Sequence, residues 1–228
     1  RDLKVGCWYE LERVPSAQRS RRQREKFDRD QQVFRAKNLR YYCDIEEAKR
    51  FGKRVWATGC RALADFAPEL IFVCDGAVWI WNLVSHYYPK AVQIVDWYHA
   101  TEHLETIAKR AFSKPNEREL WLEVMKEALW NGQVQQVIAT CQALAQQHPD
   151  VLDEIPYFAH NEARMDYARF RSLGYAIGSG TIESACKQIV VQRLRKSGAQ
   201  WTLDGAVRTA KARAAWLSRE WDSLPLVV

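Results

Sequence analysis

Two stretches decide the reading of the fold: Glu69-Leu-Ile-Phe-Val-Cys74-Asp75-Gly76 and Ala91-Val-Gln-Ile-Val95-Asp96. The first is a short, continuous apolar run, the pattern of a strand buried on both faces of a parallel sheet, and the second returns as another buried strand. Each ends abruptly at an aspartate. Residues 77–87 between them have helical spacing, and Pro89 breaks that helix before the second run begins. The pair therefore predicts a βαβ unit with a carboxylate at the carboxyl end of each strand. Open α/β sheets place their sites at that end.

Upstream, residues 3–12 alternate and are rich in Val, Trp and Tyr, which predicts a strand. Residues 13–40 are dominated by Arg13, Arg19, Arg21, Arg22, Arg24, Lys26, Arg29, Arg35, Lys37 and Arg40. This segment is either an irregular basic arm over nucleic acid or a solvated hairpin extension. Arg40-Tyr-Tyr-Cys-Asp44 predicts a short strand, and residues 46–65 a helix weakened by Gly52 and Gly59.

Downstream, from about His99 to Arg171, the pattern is helical throughout. The expected apolar stripes are Leu104, Ile107, Ala108 and Ala111; then Leu120, Val124, Met125 and Leu129; then Val134, Val137, Ile138 and Leu144. After Gly174-Tyr-Ala-Ile-Gly-Ser-Gly-Thr-Ile-Glu183 a helix carries Ile182, Ala185, Ile189 and Val190 on one face. Arg193, Arg195 and Lys196 crowd its far end, and a last helix runs from about Leu203 to Trp216.

The chain has 228 residues, 47% of them hydrophobic, enough for one generous domain or a domain with an insertion. Its formal charge of +6 suits a phosphate-binding surface without requiring one. The six cysteines show no C-x-x-C pair and no zinc spacing, so reduced, mostly buried thiols are expected. No stretch approaches the roughly 20 apolar residues of a membrane span, and no signal peptide is recognisable.

Phosphodiester cleavage and transfer need charge stabilisation on both the attacking and the leaving oxygen. Two divalent ions about 3.5–4 Å apart supply it, held by a few carboxylates. Asp75 at a strand end and Glu183 near a helix start are residues of the right kind. Asp96 could instead cap the helix that follows it. His99 and His103 stand four apart, but Glu102 has the wrong offset for an H-E-x-x-H zinc site. His86, His148 and His160 are expected at the surface or its boundary, and Trp79, Trp81 and Trp97 as packing residues beside the site.

Three ordered motifs carry a resemblance. They are Cys74-Asp75-Gly76-Ala-Val-Trp79-Ile-Trp81-Asn82 with Asp96-Trp-Tyr-His99-Ala-Thr-Glu102-His103; Tyr175-Ala-Ile-Gly178-Ser-Gly180-Thr-Ile-Glu183-Ser-Ala-Cys-Lys187; and Arg193-Leu-Arg-Lys-Ser-Gly198-Ala-Gln-Trp201. Together they resemble the Kra group of insertion-sequence transposases and, more distantly, Mutator-like transposases. The resemblance runs from Val5 to about Trp221.

That resemblance implies an α/β, ribonuclease-H-like mixed sheet with an all-α insertion before the last catalytic helix. The implied boundaries are 1–108 and 172–228 for the core and 109–171 for the insertion. It implies a DDE-type transposase that cleaves and transfers DNA strands at transposon ends. Asp75 and Glu183 are then catalytic residues and ligands of Mg²⁺, with Mn²⁺ as substitute, and Asp96 and His99 support them. Lys187, Arg193, Arg195 and Lys196 would contact DNA. The family's first Asp lies on a strand just before the one opening this chain, and nothing at residues 1–12 matches it, so that Asp is expected upstream. The implied partners are double-stranded DNA, as element ends and target, and further copies in a homo-oligomer, with no membrane; the implied location is the cytoplasm, on the nucleoid. The alternative is a catalytically inactive, transposase-derived DNA-binding protein.

Overall fold

β1 (Lys4–Arg13) and β2 (Phe34–Asp44) pair antiparallel, from Lys4↔Asp44 out to Arg13↔Phe34. These coordinates are a computed structural model that describes residues 2–20 and 33–223. β2 begins at Phe34, six residues earlier than the basic composition suggested. Its length is set by pairing with β1, a long-range constraint invisible to local propensity. The register slips between Trp8 and Glu10, so that Asn38 and Leu39 bulge out of β2. Asn38 takes a left-handed φ of +52° there, and its amide donates to Glu10 Oε1 at 2.8 Å. The basic segment lies in the connection of this hairpin, but Arg21, Arg22, Arg24, Lys26 and Arg29 fall outside the described residues.

The two faces of the hairpin follow the period of two. Gly6, Trp8 and Tyr42 meet α1 (Ala48–Arg61): Trp8 Nε1 donates to Val55 O at 3.0 Å, and the Tyr42 ring lies 5.6 Å from that of Phe51. An added Cβ on Gly6 would stand 3.4 Å from Val55 Cγ2, so a small residue lets the helix approach. Leu3, Val5, Tyr41 and Cys43 line the opposite face. There they pack with Ala185, Ile189, Ala210 and Ala214 of two later helices.

α8 opens as Gly180–Cys186, passes through a π-helical turn at Lys187–Val191 and closes with Gln192–Leu194. α9 (Leu203–Leu217) is capped by Thr202, whose Oγ1 accepts from Gly205 N at 3.1 Å. β2 is tied to α9 by Ser218 Oγ, which accepts from Tyr41 N at 2.8 Å, and by the Lys211–Asp44 ion pair at 2.5 Å. Residues Arg1–Pro68 and Gly180–Val228 form one compact unit.

The second unit is Glu69–Ser179. β3 (Ile71–Cys74) and β4 (Val92–Val95) pair in parallel, joined by α2 (Val78–Tyr87), as the βαβ reading requires. α3 (Trp97–Ala111), α4 (Pro115–Trp130), α5 (Val134–Ala145), α6 (Ile155–Asn161) and α7 (Tyr167–Ser172) follow. Their shared core includes Ile94, Val95, Leu104, Ile107, Leu129, Val137 and Phe158. Burying each such side chain stabilises by about 1.5–3 kcal/mol.

Three sequence expectations need correction. α4 buries Met125, Ala128 and Leu129, with Trp121 and Leu122 partly covered, while Leu120 and Val124 stay exposed. The larger Trp121 ring takes the inward position and packs 5.9 Å from Phe112, which rotates the stripe. In addition, the expected mixed sheet is not one ladder among the described residues. It is an antiparallel pair and a separate parallel pair. β3, expected to be buried on both faces, is only half-buried and has β4 as its sole described strand neighbour. The chain is thus mixed α/β, mainly helical, with small sheets, and no described helix is long and apolar enough to cross a membrane.

The Asp44–Lys211 pair gives a pH-dependent term. Burial pushes the Asp44 carboxyl up, but hydrogen bonds from Lys211, Ile45 N and Tyr42, with the Lys211 charge, hold it below its ordinary value of 3.8. A depressed folded value contributes stability above the ordinary value and loses it as pH falls through the folded one. Asp44→Asn should therefore cost about 1–2 kcal/mol at pH 7, discounted for the half-exposed Lys211. Urea denaturation at pH 7 and pH 3 checks this: the gap between variant and parent should narrow at the lower pH.

Candidate active site

The turn that ends β3 holds Asp75 and Gly76, and two side chains of α6 fasten it. Tyr157 Oη donates to Asp75 O at 2.9 Å, and Asn161 Nδ2 donates to Gly76 O at 3.3 Å. Asn161 is itself buried and oriented by Trp81 Nε1, which donates to its Oδ1 at 2.8 Å. Gly76 has φ +96°, and a Cβ there would lie 2.7 Å from Tyr157 Cε2. Only glycine satisfies both the backbone angle and the close approach of the ring.

This fastening leaves the Asp75 carboxylate facing solvent. Its Oδ1 accepts from Ala77 N at 3.0 Å, and Oδ2 accepts no hydrogen bond among the described residues. Beneath it, burial pushes the Cys74 thiol up to about 12, with Asp75 and Asp96 adding to the rise, so it is no thiolate nucleophile. Burial also raises the Tyr157 phenol, helped by the charges of Asp75, Asp96 and Glu102. The phenol accordingly stays a hydroxyl donor at neutral pH.

Asp96 ends β4 in a different state. It is 3% exposed, and both of its oxygens are engaged: Oδ1 accepts from His99 N at 2.8 Å as the cap of α3, and Oδ2 accepts from Ser179 N. Its neighbour Trp97 donates its backbone N–H to Ile177 O at 2.9 Å. Asp96 therefore pins the 177–179 segment beside the start of α3. The capping reading of Asp96 finds its contact here.

His99 is partly exposed, with Nδ1 3.2 Å from Glu102 Oε2. The His103 ring stacks on Tyr157 at 3.6 Å between centroids and 19° between planes, with Nδ1 2.6 Å from Glu154 Oε2. Arg110 closes on the other Glu154 oxygen at 3.0 Å. The two histidines thus pair with different carboxylates. Among the described residues no group of three or more His, Cys, Asp or Glu side chains could hold a metal ion.

Asp75, Asp96 and His99 thus share one unit. Glu183 and the expected DNA contacts belong to the other. Glu183 is exposed in the first turn of α8 and forms no ion pair with a described residue, and Lys187, Arg193, Arg195 and Lys196 are likewise exposed and unpaired. Trp81 is buried, and Trp97 packs between Trp130 and Tyr167 at 5.0 and 5.1 Å, as packing residues should. His86 and His160 are exposed and His148 half-buried.

Sequence reasoning missed Tyr157, Asn161 and Glu154. Each acts across more than 50 residues of chain, and no local pattern marks such a partnership. Comparison with family models, with curated proteins and with solved structures gave no match to this chain.

Gly76→Ala should lower the unfolding free energy by about 1–3 kcal/mol, because both the left-handed backbone and the Tyr157 contact are penalised. Tyr157→Phe, which removes only the hydrogen bond to Asp75 O, should cost about 1 kcal/mol. Guanidinium titrations of both variants check the order; equal or reversed costs would show that the turn is not held as described.

Proposed function

We propose that this chain carries part of the catalytic core of a DDE-type transposase with a ribonuclease-H-like fold, acting in DNA strand cleavage and transfer. The observation that supports it best is the exposed Asp75 carboxylate on a rigid turn at the carboxyl end of a parallel strand. It has one uncommitted oxygen and stands beside the buried Asp96. The order of the three sequence motifs makes the reading specific to the Kra-like group.

The donor chemistry fits Mg²⁺ or Mn²⁺ in kind. Asp75 and Glu183 are hard, exposed oxygen donors, and Mg²⁺ keeps several of its own waters. Asp96 does not fit as a ligand, because both its oxygens already accept backbone N–H groups. When bound, the metal would activate water and then a 3′-hydroxyl for in-line attack and stabilise the leaving oxygen. The residues of this chain do the remaining work. Tyr157 and Asn161 hold Asp75 in place before substrate arrives, and such preorganisation avoids reorganisation during reaction. Arg193, Arg195, Lys196 and Lys187 would hold DNA phosphates.

The rival reading keeps the basic surface without catalysis. The deciding experiment measures Mn²⁺-dependent nicking of element-end DNA by a protein that also contains the first carboxylate. Asp75→Asn and Glu183→Gln should each reduce nicking at least 100-fold, on the order of the loss of a catalytic electrostatic group, and leave DNA binding within about twofold. Binding without any cutting by the parent protein would favour the inactive, transposase-derived DNA-binding protein instead.

A further inference from the structure

Between α8 and α9 the chain forms an exposed loop, Arg195-Lys-Ser-Gly-Ala-Gln-Trp-Thr202, every residue of which is exposed. The Ala199 N–H donates to Lys196 O at 3.1 Å, closing a turn with Gly198 at φ +75°. A Cβ on Gly198 would meet nothing within 4 Å, so the glycine serves the turn and not a close contact. The far end of the loop is anchored by the Thr202 cap on Gly205 N.

Two features of this loop need a common explanation. Trp201 is 44% exposed; one edge of its ring approaches Gly205, with Cε3 3.9 Å from an ideal Cβ there. Trp216 and Trp221 are at least as exposed, but their rings lie against each other, with centroids 6.1 Å apart. From Arg193 to Leu203 there is no acidic residue, and Arg193, Arg195 and Lys196 are exposed without an ion pair to any described residue. The nearest acid, Asp204, is paired with Arg208 at 2.8 Å.

Unpaired cations and an exposed aromatic ring in one loop suit a backbone of phosphates with a base stacked on the ring. A docking site for a protein partner would set the ring among other apolar side chains. Here its loop neighbours are Arg, Lys, Ser, Gly, Ala, Gln and Thr. The faces of paired bases inside a duplex are already covered, so a ring on a protein surface stacks only where a base is unpaired, extruded or terminal.

We propose that Trp201 is a stacking platform for an unpaired nucleotide, with Arg195 and Lys196 holding the adjoining phosphates. It rests on the transposase reading only for the source of that nucleotide, the opened end of the DNA. Stacking on a tryptophan is tolerant of base identity, so the subsite selects for unpaired structure and not for sequence.

The test is fluorescence anisotropy with a labelled 16-nucleotide single strand and a blunt duplex of the same sequence, at two salt concentrations. The proteins are the 228-residue chain, Trp201→Ala, Trp201→Phe and the double variant Arg195→Gln/Lys196→Gln. Trp201→Ala should weaken single-strand binding about 5- to 100-fold with an unchanged salt slope, and Trp201→Phe should retain most of the affinity. The double variant should flatten the salt slope by about 1.4, or roughly 0.7 per lost phosphate contact. Circular dichroism melts confirm that each variant is folded.

Parent-like binding by Trp201→Ala overturns the proposal while leaving DNA binding by the core intact. Equal losses on the blunt duplex and the single strand also overturn it, because the ring would then not select unpaired bases. If the parent chain binds neither nucleic acid, both the subsite and the DNA-binding part of the transposase reading fail.

Discussion

The fastening of one turn carries the functional account. Gly76 sits at a positive φ under the Tyr157 ring, and both carbonyls of the Asp75–Gly76 pair accept hydrogen bonds from α6. A two-stranded parallel ladder of four-residue strands has little stability of its own. The end of β3 holds its position because α6, more than 80 residues away, is bonded to the turn that follows it. Burial of the Trp81–Asn161 hydrogen bond makes that tie costly to break, since either group left alone would be desolvated without a partner.

The two aspartates at the strand ends show how one local setting yields different roles. Asp96 is enclosed and its oxygens are engaged by backbone N–H groups, so its contribution is to fix the start of α3 and the 177–179 segment. Asp75 keeps one oxygen open to solvent. Spacing along the sequence is the same for both, a carboxylate after an apolar strand. What separates them is whether the following chain folds back to cover the carboxylate.

Much of the architecture was legible because it is local. The βαβ unit, the amphipathic face of α3 and the last helix follow from strand-length apolar runs and helical spacing. β2 was read too short because Arg35, Lys37 and Asn38 look like a solvated arm, whereas pairing with β1 makes them strand. The α4 stripe was misjudged by one position because spacing alone cannot say that Trp121, and not Leu120, fills the space beside Phe112. Of the site, Asp75, Asp96 and His99 were legible as residues. The clamp of Tyr157 and Asn161, the His103–Glu154–Arg110 chain and the tie from Asp96 to Ser179 were not, because each depends on chain closure over 40 residues or more.

The most direct test of the metal-dependent reading is affinity cleavage of a protein that contains this chain and the first carboxylate, with Fe²⁺ in place of Mg²⁺ and ascorbate and peroxide to generate radicals at the bound ion. The account expects backbone scission next to Asp75 and, separately, next to Glu183, each suppressed by excess Mg²⁺ and each lost when that carboxylate is replaced by its amide. Scission confined to His99 and His103, or none that Mg²⁺ displaces, would contradict the assignment of these carboxylates to a metal and with it the transposase chemistry.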